Sequence, residues 1–223
     1  MTVQIDLTGR TALVTGSTQG IGAAIAAGLA RAGARVAVNG RTSDSVARAA
    51  AELRAEVPGA EVVEVAADVA TEQGTADALA LLPTVDILVN NLGIFEARPA
   101  LEIDDREWRR YFEVNVLAAV RLTRSYLPGM IGRGWGRVQY IASDSAVVIP
   151  AEMIHYGVSK TALLGVSRGF AKAAAGTGVT VNSVIAGPTH TGVWRTSSTS
   201  SSTGACRGTR RSASSCGCTG RSR

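Results

Sequence analysis

Cysteine is absent from the first 205 of the 223 residues; the three thiols are Cys206, Cys216 and Cys218. The body of the chain therefore has no disulfide framework. Aromatic residues make up only 4%, so a core must come from the aliphatics and alanine within the 46% apolar fraction. No run of about 18 uncharged apolar residues occurs, which argues against a spanning helix. The opening, Met1-Thr2-Val3-Gln4-Ile5-Asp6, has no basic segment followed by an apolar block and reads as lacking a secretory signal. A soluble, cytoplasmic protein without membrane partners is expected.

Acidic residues are missing from Arg195 onward, where six arginines (195, 207, 210, 211, 221, 223) lie. Since the whole chain has 23 Lys+Arg and 18 Asp+Glu, removing those six leaves residues 1–194 with one acid in excess. The positive charge belongs to the tail, and the body offers no basic groove for nucleic acid. Positions 196–203 are all Ser or Thr. A stretch with so little to bury cannot offset its ordering entropy. Residues 195–223 are thus expected to be an irregular tail on a single domain, 1–194. Cys216-Gly217-Cys218 has no second Cys/His pair at zinc spacing, so no metal is expected.

Within the body, short apolar runs alternate with helical patterns. Strands are predicted at 11–15, 35–38, 61–65, 86–89, 136–141 and 179–185. Helices are predicted at 21–32, 45–57, 72–82, 106–130 and 156–174. Strands this apolar, separated by helices, require a parallel sheet buried on both faces. The fold class is α/β, a doubly wound six-stranded sheet, with ligands at the carboxyl ends of the strands.

The first strand runs into Thr15-Gly16-Ser17-Thr18-Gln19-Gly20-Ile21-Gly22. A glycine-rich turn opening a helix brings backbone N–H groups close to a pyrophosphate; the bland alternative is a tight strand–helix connection. After the second strand, Asn39-Gly40-Arg41 has no carboxylate to repel a 2′-phosphate, and Arg41 can pair with one. This favours NADP, with NAD as the other choice; an ordinary solvated arginine is the competing reading. Asp68-Val69 is placed to meet the adenine, or Asp68 simply begins a helix.

Tyr156 and Lys160 are four apart on one helical pattern and share a face. Acid work near neutrality asks a phenol of reference pKa about 10 to drop by about 3 units, or roughly 4 kcal/mol. An ammonium about 4 Å away at an effective dielectric of about 20 supplies a similar amount. Ser143 precedes Tyr156 by 13 residues and Asn115 precedes it by 41.

With the glycine turn and Asn90-Asn91-Leu92-Gly93, these residues make the sequence resemble the short-chain dehydrogenase/reductase family over residues 8 to about 192, most of all its 3-oxoacyl carrier-protein reductase-like branch. The resemblance implies a Rossmann fold and hydride transfer between NADP(H) and a ketone or secondary alcohol. Tyr156 would be the general acid/base, Lys160 would lower its pKa and hold the nicotinamide ribose, and Ser143 would bond the carbonyl. Asn115 would anchor a relay water. Cofactor contacts would involve Gly16, Ser17, Thr18, Gln19, Gly20, Ile21 and Gly22, then Arg41, Asp68, Val69, Asn91 and Gly93. Gly187, Pro188 and Thr189 would lie near the carboxamide.

Some positions depart from the family pattern. Leu92 replaces the usual alanine and is expected to add bulk beside the cofactor. Gly187-Pro188 reverses the usual order, and Gln19 is not the basic residue typical of NADP users. His155 is expected at the pocket rim and His190 in the substrate loop. The Ser/Thr/Arg/Cys tail stands where the family has a substrate-covering segment and a seventh strand, and its composition resembles an out-of-frame reading of a GC-rich gene. A homo-oligomer is possible but weakened by that change. A cofactor-binding remnant without turnover is the alternative to an enzyme, and a tail-borne anion binder is a third reading.

Overall fold

The computed structural model describes residues 5–189. The tail, His190 and Cys216-Gly217-Cys218 lie outside the described residues. The elements run β1 (Thr11–Val14), α1 (Gly20–Arg31), β2 (Arg35–Gly40), α2 (Ser43–Glu56), β3 (Val62–Ala66), α3 (Glu72–Leu81) and β4 (Ile87–Asn90). They continue with α4 (Asp105–Phe112), α5 (Ala118–Gly132), β5 (Gly136–Ser143), α6 (Ile154–Ala173) and β6 (Val179–Ala186). Among the described residues, no helix is long and apolar enough to cross a membrane.

The six strands form one parallel sheet in the order β3-β2-β1-β4-β5-β6. The order reverses between β1 and β4, and a doubly wound sheet opens a ligand crevice at that point. Side chains alternate across the sheet. Leu13 enters one core with Leu88, Val138, Leu122 and Leu163, while Ala12 and Val14 enter the other with Val36, Val38, Ala26 and Ala27. Both faces are therefore dry, and each fully buried Leu or Val contributes roughly 1.5–3 kcal/mol over an exposed one. The helices packed against β1 and β2 use alanine, which lets them approach closely.

The helix expected at 106–130 is present as an unbroken helical stretch from Asp105 to Gly132, with a change of register inside it that the sequence reading did not contain. α4 begins at Asp105 on an N-cap bond from Glu107 N to Asp104 Oδ1 (2.8 Å). Between α4 and α5 the chain widens into a π turn, Glu113–Leu117, containing Asn115. Hydrophobic period reports a continuous helical face but is blind to a one-residue change of hydrogen-bond register.

Candidate active site

The carboxyl ends of β1, β4, β5 and β6 surround a cleft of about 450 Å³. On its floor is the glycine turn. Gly20 has φ +61°, a conformation side-chain-bearing residues rarely take. At Gly22 a Cβ would lie 2.6 Å from Gly16 O and 2.9 Å from Ser17 Cα, so helix and turn touch only because that atom is missing. α1 starts with no side-chain cap and no acid in its first turn. Its first N–H groups are thus left to an incoming anion. The donors and the room suit a dinucleotide pyrophosphate.

Gly16, Gln19, Gly20, Ile21 and Gly22 line the cleft, as do Asn91, Gly93, Gly187, Pro188 and Thr189. Two members of the turn face away from it. Ser17 is buried, donating to Val14 O (2.7 Å) and accepting from Asn39 N (2.9 Å). Thr18 lies against Gly40, whose Cβ would meet its methyl at 2.5 Å. Arg41 follows β2 directly, exposed and outside the cleft lining, just before Thr42 caps α2. Asp68 accepts from Ala70 N (3.2 Å) in the β3–α3 turn, and Val69 is buried.

Two asparagines missed by the cofactor reading hold this floor together. Asn39 reaches both Val65 O and Ala67 O with Nδ2 (3.0 Å each) while its Oδ1 accepts from Gly16 N (3.3 Å). Asn90 donates to Thr123 (3.2 Å), which bonds the Tyr140 hydroxyl (2.6 Å). Polar residues inside otherwise apolar strands were the available signal. Thr15 acts similarly, accepting from the N–H groups of Asn91 and Leu92 (2.9 Å each). That clamp sets Leu92, half-buried, against one of the two cores, and Leu92 does not line the cleft. Its side chain also lies beside the glycine turn: a Cβ on Gly16 would meet Leu92 Cδ1 at 3.5 Å.

Ser143, Tyr156 and Lys160 come together across the cleft from the glycine turn. Ser143 ends β5, and its hydroxyl donates to Asp144 Oδ1 (2.9 Å). Lys160 is 5% exposed and donates from Nζ to Ile141 O at 2.8 Å. Burial pulls its pKa from 10.5 down to about 8. Nζ stands 5.8 Å from the centroid of the Tyr156 ring.

The phenol itself departs from expectation. Burial pushes the Tyr156 pKa upward, Ser143 draws it back, and the Asp144 charge adds to the rise. Lys160, whose Nζ donates to the Ile141 carbonyl, is not among the groups that shift it.

Asn115 sits behind the cleft wall. In the π turn it accepts from Ile94 N (2.8 Å) and donates to Ile94 O (3.1 Å) and Ser159 Oγ (2.9 Å). Gly93 separates it from Lys160: a Cβ there would lie 3.2 Å from Nζ and 3.5 Å from Asn115 Oδ1. His155 does not line the cleft. It is fully buried, with its ring 4.0 Å from that of Tyr111 and edge-on to Trp108 at 6.3 Å. Being next to Tyr156 on a helix turns it about 100° away, to the α4 side. The reading also missed Asp144, Phe95 and Met153 in the lining; Phe95 is in a loop and the other two in single 3-10 turns, all too short for a periodic signal.

A six-stranded doubly wound sheet with this floor and this Tyr/Lys pair places the chain in the short-chain dehydrogenase/reductase family, and the family model described as short chain dehydrogenase matches residues 10–202. The chain is an oxidoreductase of that family. It is 49% identical over 189 residues to the uncharacterized oxidoreductase YvaG of Bacillus subtilis, covering 85% of this chain and 72% of that protein. It is 35% identical over 189 residues to the 3-oxoacyl-[acyl-carrier-protein] reductase FabG of Aquifex aeolicus, covering 83% and 76%. Among solved structures, L-sorbose reductase from Gluconobacter frateurii, complexed with NADPH and L-sorbose, superposes with a TM-score of 0.83 at 36% identity, covering 87% of this chain and 75% of that one.

Proposed function

We propose that the protein is an NADP(H)-dependent reductase of ketones, running in reverse as a dehydrogenase of secondary alcohols, with Tyr156 as general acid/base. The observation that carries this reading is the shared cleft of the glycine turn, Ser143, Tyr156 and Lys160. When bound, the nicotinamide supplies or accepts the hydride. Tyr156 gives the proton to the carbonyl oxygen. A phenol is protonated at neutral pH at its ordinary pKa of about 10, which is the form that reduction consumes. Ser143 holds the same oxygen once its hydroxyl turns from Asp144.

Lys160, with a pKa of about 8, both gives and takes a proton near neutrality and so suits the role of resupplying Tyr156. Asn115, fixed by Ile94 and Ser159, holds the wall behind that lysine. The glycine turn and the α1 N-terminus take the pyrophosphate, and Arg41 supports the 2′-phosphate. The L-sorbose reductase that this chain resembles was solved with NADPH, which favours the same choice here. A cytoplasmic location agrees with NADP(H) as the reductant.

The test is an NADPH fluorescence titration beside a 340 nm assay on small ketones, for wild type and Tyr156→Phe. Wild type is expected to turn over. The variant is expected to lose at least about a hundredfold in kcat while binding NADPH within about threefold. Equal activity in the variant would remove Tyr156 from the role.

A further inference from the structure

Charge in the cleft is one-sided where a substrate would sit. Among the described residues, Lys160 and Asp144 are the only Lys, Arg, Asp or Glu in its lining. Lys160 is buried, with Nζ on the Ile141 carbonyl, so its charge faces the wall. Asp144 is exposed and adjoins Ser143. One of its oxygens is held by the Ser143 hydroxyl (2.9 Å) and the Ser145 N–H (2.8 Å). That pair of bonds fixes the carboxylate beside the group that would receive the carbonyl. Its field reaches the reacting phenol, whose pKa it raises.

The other walls reinforce the sign. Phe95 is 46% exposed and tilts over Tyr156 with ring centroids 6.1 Å apart, and Met153 completes the apolar side. Aromatic faces are the negative ends of their quadrupoles, which attract cations and repel anions. Arg98, in the loop that carries Phe95, pairs with Glu96 at 3.5 Å and does not line the cleft.

We propose that Asp144 is a specificity-determining residue, so that the substrate end of the cleft accepts uncharged or cationic ketones and excludes those bearing a carboxylate close to the carbonyl. The proposal rests on the ketone-reductase reading above. A carboxylate one methylene from the carbonyl would come within about 6 Å of Asp144. At a half-solvated effective dielectric of about 40, two like charges at that separation are worth about a tenfold change in binding.

Three probes of similar size separate charge from shape: acetoacetate, methyl acetoacetate and trimethyl(2-oxopropyl)ammonium, each assayed with NADPH on the full chain. In wild type, kcat/KM for the ester is expected to exceed that for acetoacetate by at least about tenfold. Asp144→Asn is expected to shrink that ratio about tenfold, mainly through KM, and to weaken the ammonium ketone. Asp144→Glu is expected to keep the order. The Asp144→Asn profile for the ester should also lose its basic limb at somewhat lower pH, because burial still raises the phenol but the part of the rise due to the Asp144 charge is gone.

An unchanged ester-to-acid ratio in Asp144→Asn, or a wild-type preference for acetoacetate, overturns the proposal. If NADPH binds but none of the three is reduced, the ketone-reductase reading fails on its own. The charge proposal is then decided by binding of acid and ester to the NADPH complex, measured calorimetrically in wild type and Asp144→Asn. A tighter ester whose advantage vanishes in the variant upholds it, and equal preference in both proteins sinks it.

Discussion

Around β1 and β2, polar side chains are spent in neutral hydrogen bonds. Asn39 ties the glycine turn to the end of β3, and Ser17 ties β1 to β2. Close packing there depends on atoms that are absent, as at Gly22. Beside the hydroxyls of Ser143, Ser159 and Ser167, the buried polar groups around β5 and α6 include two ionisable ones: Lys160 at 5% exposure and His155 at 0%. Both are held in their less charged direction by burial. The cofactor side is thus built for stability and the catalytic side carries the destabilising groups, as expected where function demands titration in a dry place.

The sharpest way to break that contrast is Lys160→Met. Removing the ammonium is expected to lower turnover by at least about a hundredfold, since the proton supply to Tyr156 goes with it. The same change is expected to raise the melting temperature of the cofactor-free protein. Lys160 has a folded pKa of about 8 against an ordinary 10.5. Folding with the lysine charged therefore costs up to about 3 kcal/mol, offset in part by its bond to Ile141. The cost is full below pH 8 and fades as pH climbs toward 10.5. Melts at pH 7 and pH 10 should show the variant ahead at the first and its lead shrinking at the second. A variant that melts lower at pH 7 would show that the lysine is not a burden.

On the cofactor side the expected effect is smaller and confined to binding. Arg41→Ala is expected to weaken NADPH about tenfold, the scale of one charge-assisted phosphate contact, and to leave NADH within about twofold. Fluorescence titration with both nucleotides checks it, and equal losses would remove Arg41 from the 2′-phosphate. Arg41 stands exposed just after β2, so its removal should leave the melting temperature within about a degree.

These two sides were not equally readable in the sequence. Strand positions, the glycine turn and the Tyr156–Lys160 face follow from periods of 2 and 3.6 and from glycines at fixed offsets, which are local signals. What could not be read depends on which neighbour a side chain meets. Leu92 packs against the core because Thr15 clamps its N–H. The ammonium of Lys160 chooses the Ile141 carbonyl over the phenol. The π turn at Asn115 leaves the hydrophobic face intact, and Asp144 enters the cleft from a single 3-10 turn too short to show a period.

His155 sharpens the comparison by a subtler route. It is fully buried, and neither ring nitrogen has a hydrogen-bond partner among the described residues. Tyr111 and Trp108 pack on it from α4, with Glu107 on the same helix and Glu96 and Arg98 in the loop before it. Burial lowers its pKa below 6.5, Glu107 and Glu96 oppose that, and Arg98 assists it. A histidine whose folded pKa is depressed is neutral in both states above its unfolded pKa. As pH falls through about 6.5 the unfolded chain takes up the proton first, and stability is lost progressively until the folded pKa is passed. The melting temperature of wild type is therefore expected to fall between pH 7.5 and pH 5.5. In His155→Leu, close in volume and unable to titrate, that fall should be smaller by a degree or two, about 0.5 kcal/mol on this size of domain. An identical pH response in the two proteins would mean that the imidazole is not held neutral by its site, and the catalytic side would then carry one destabilising group instead of two.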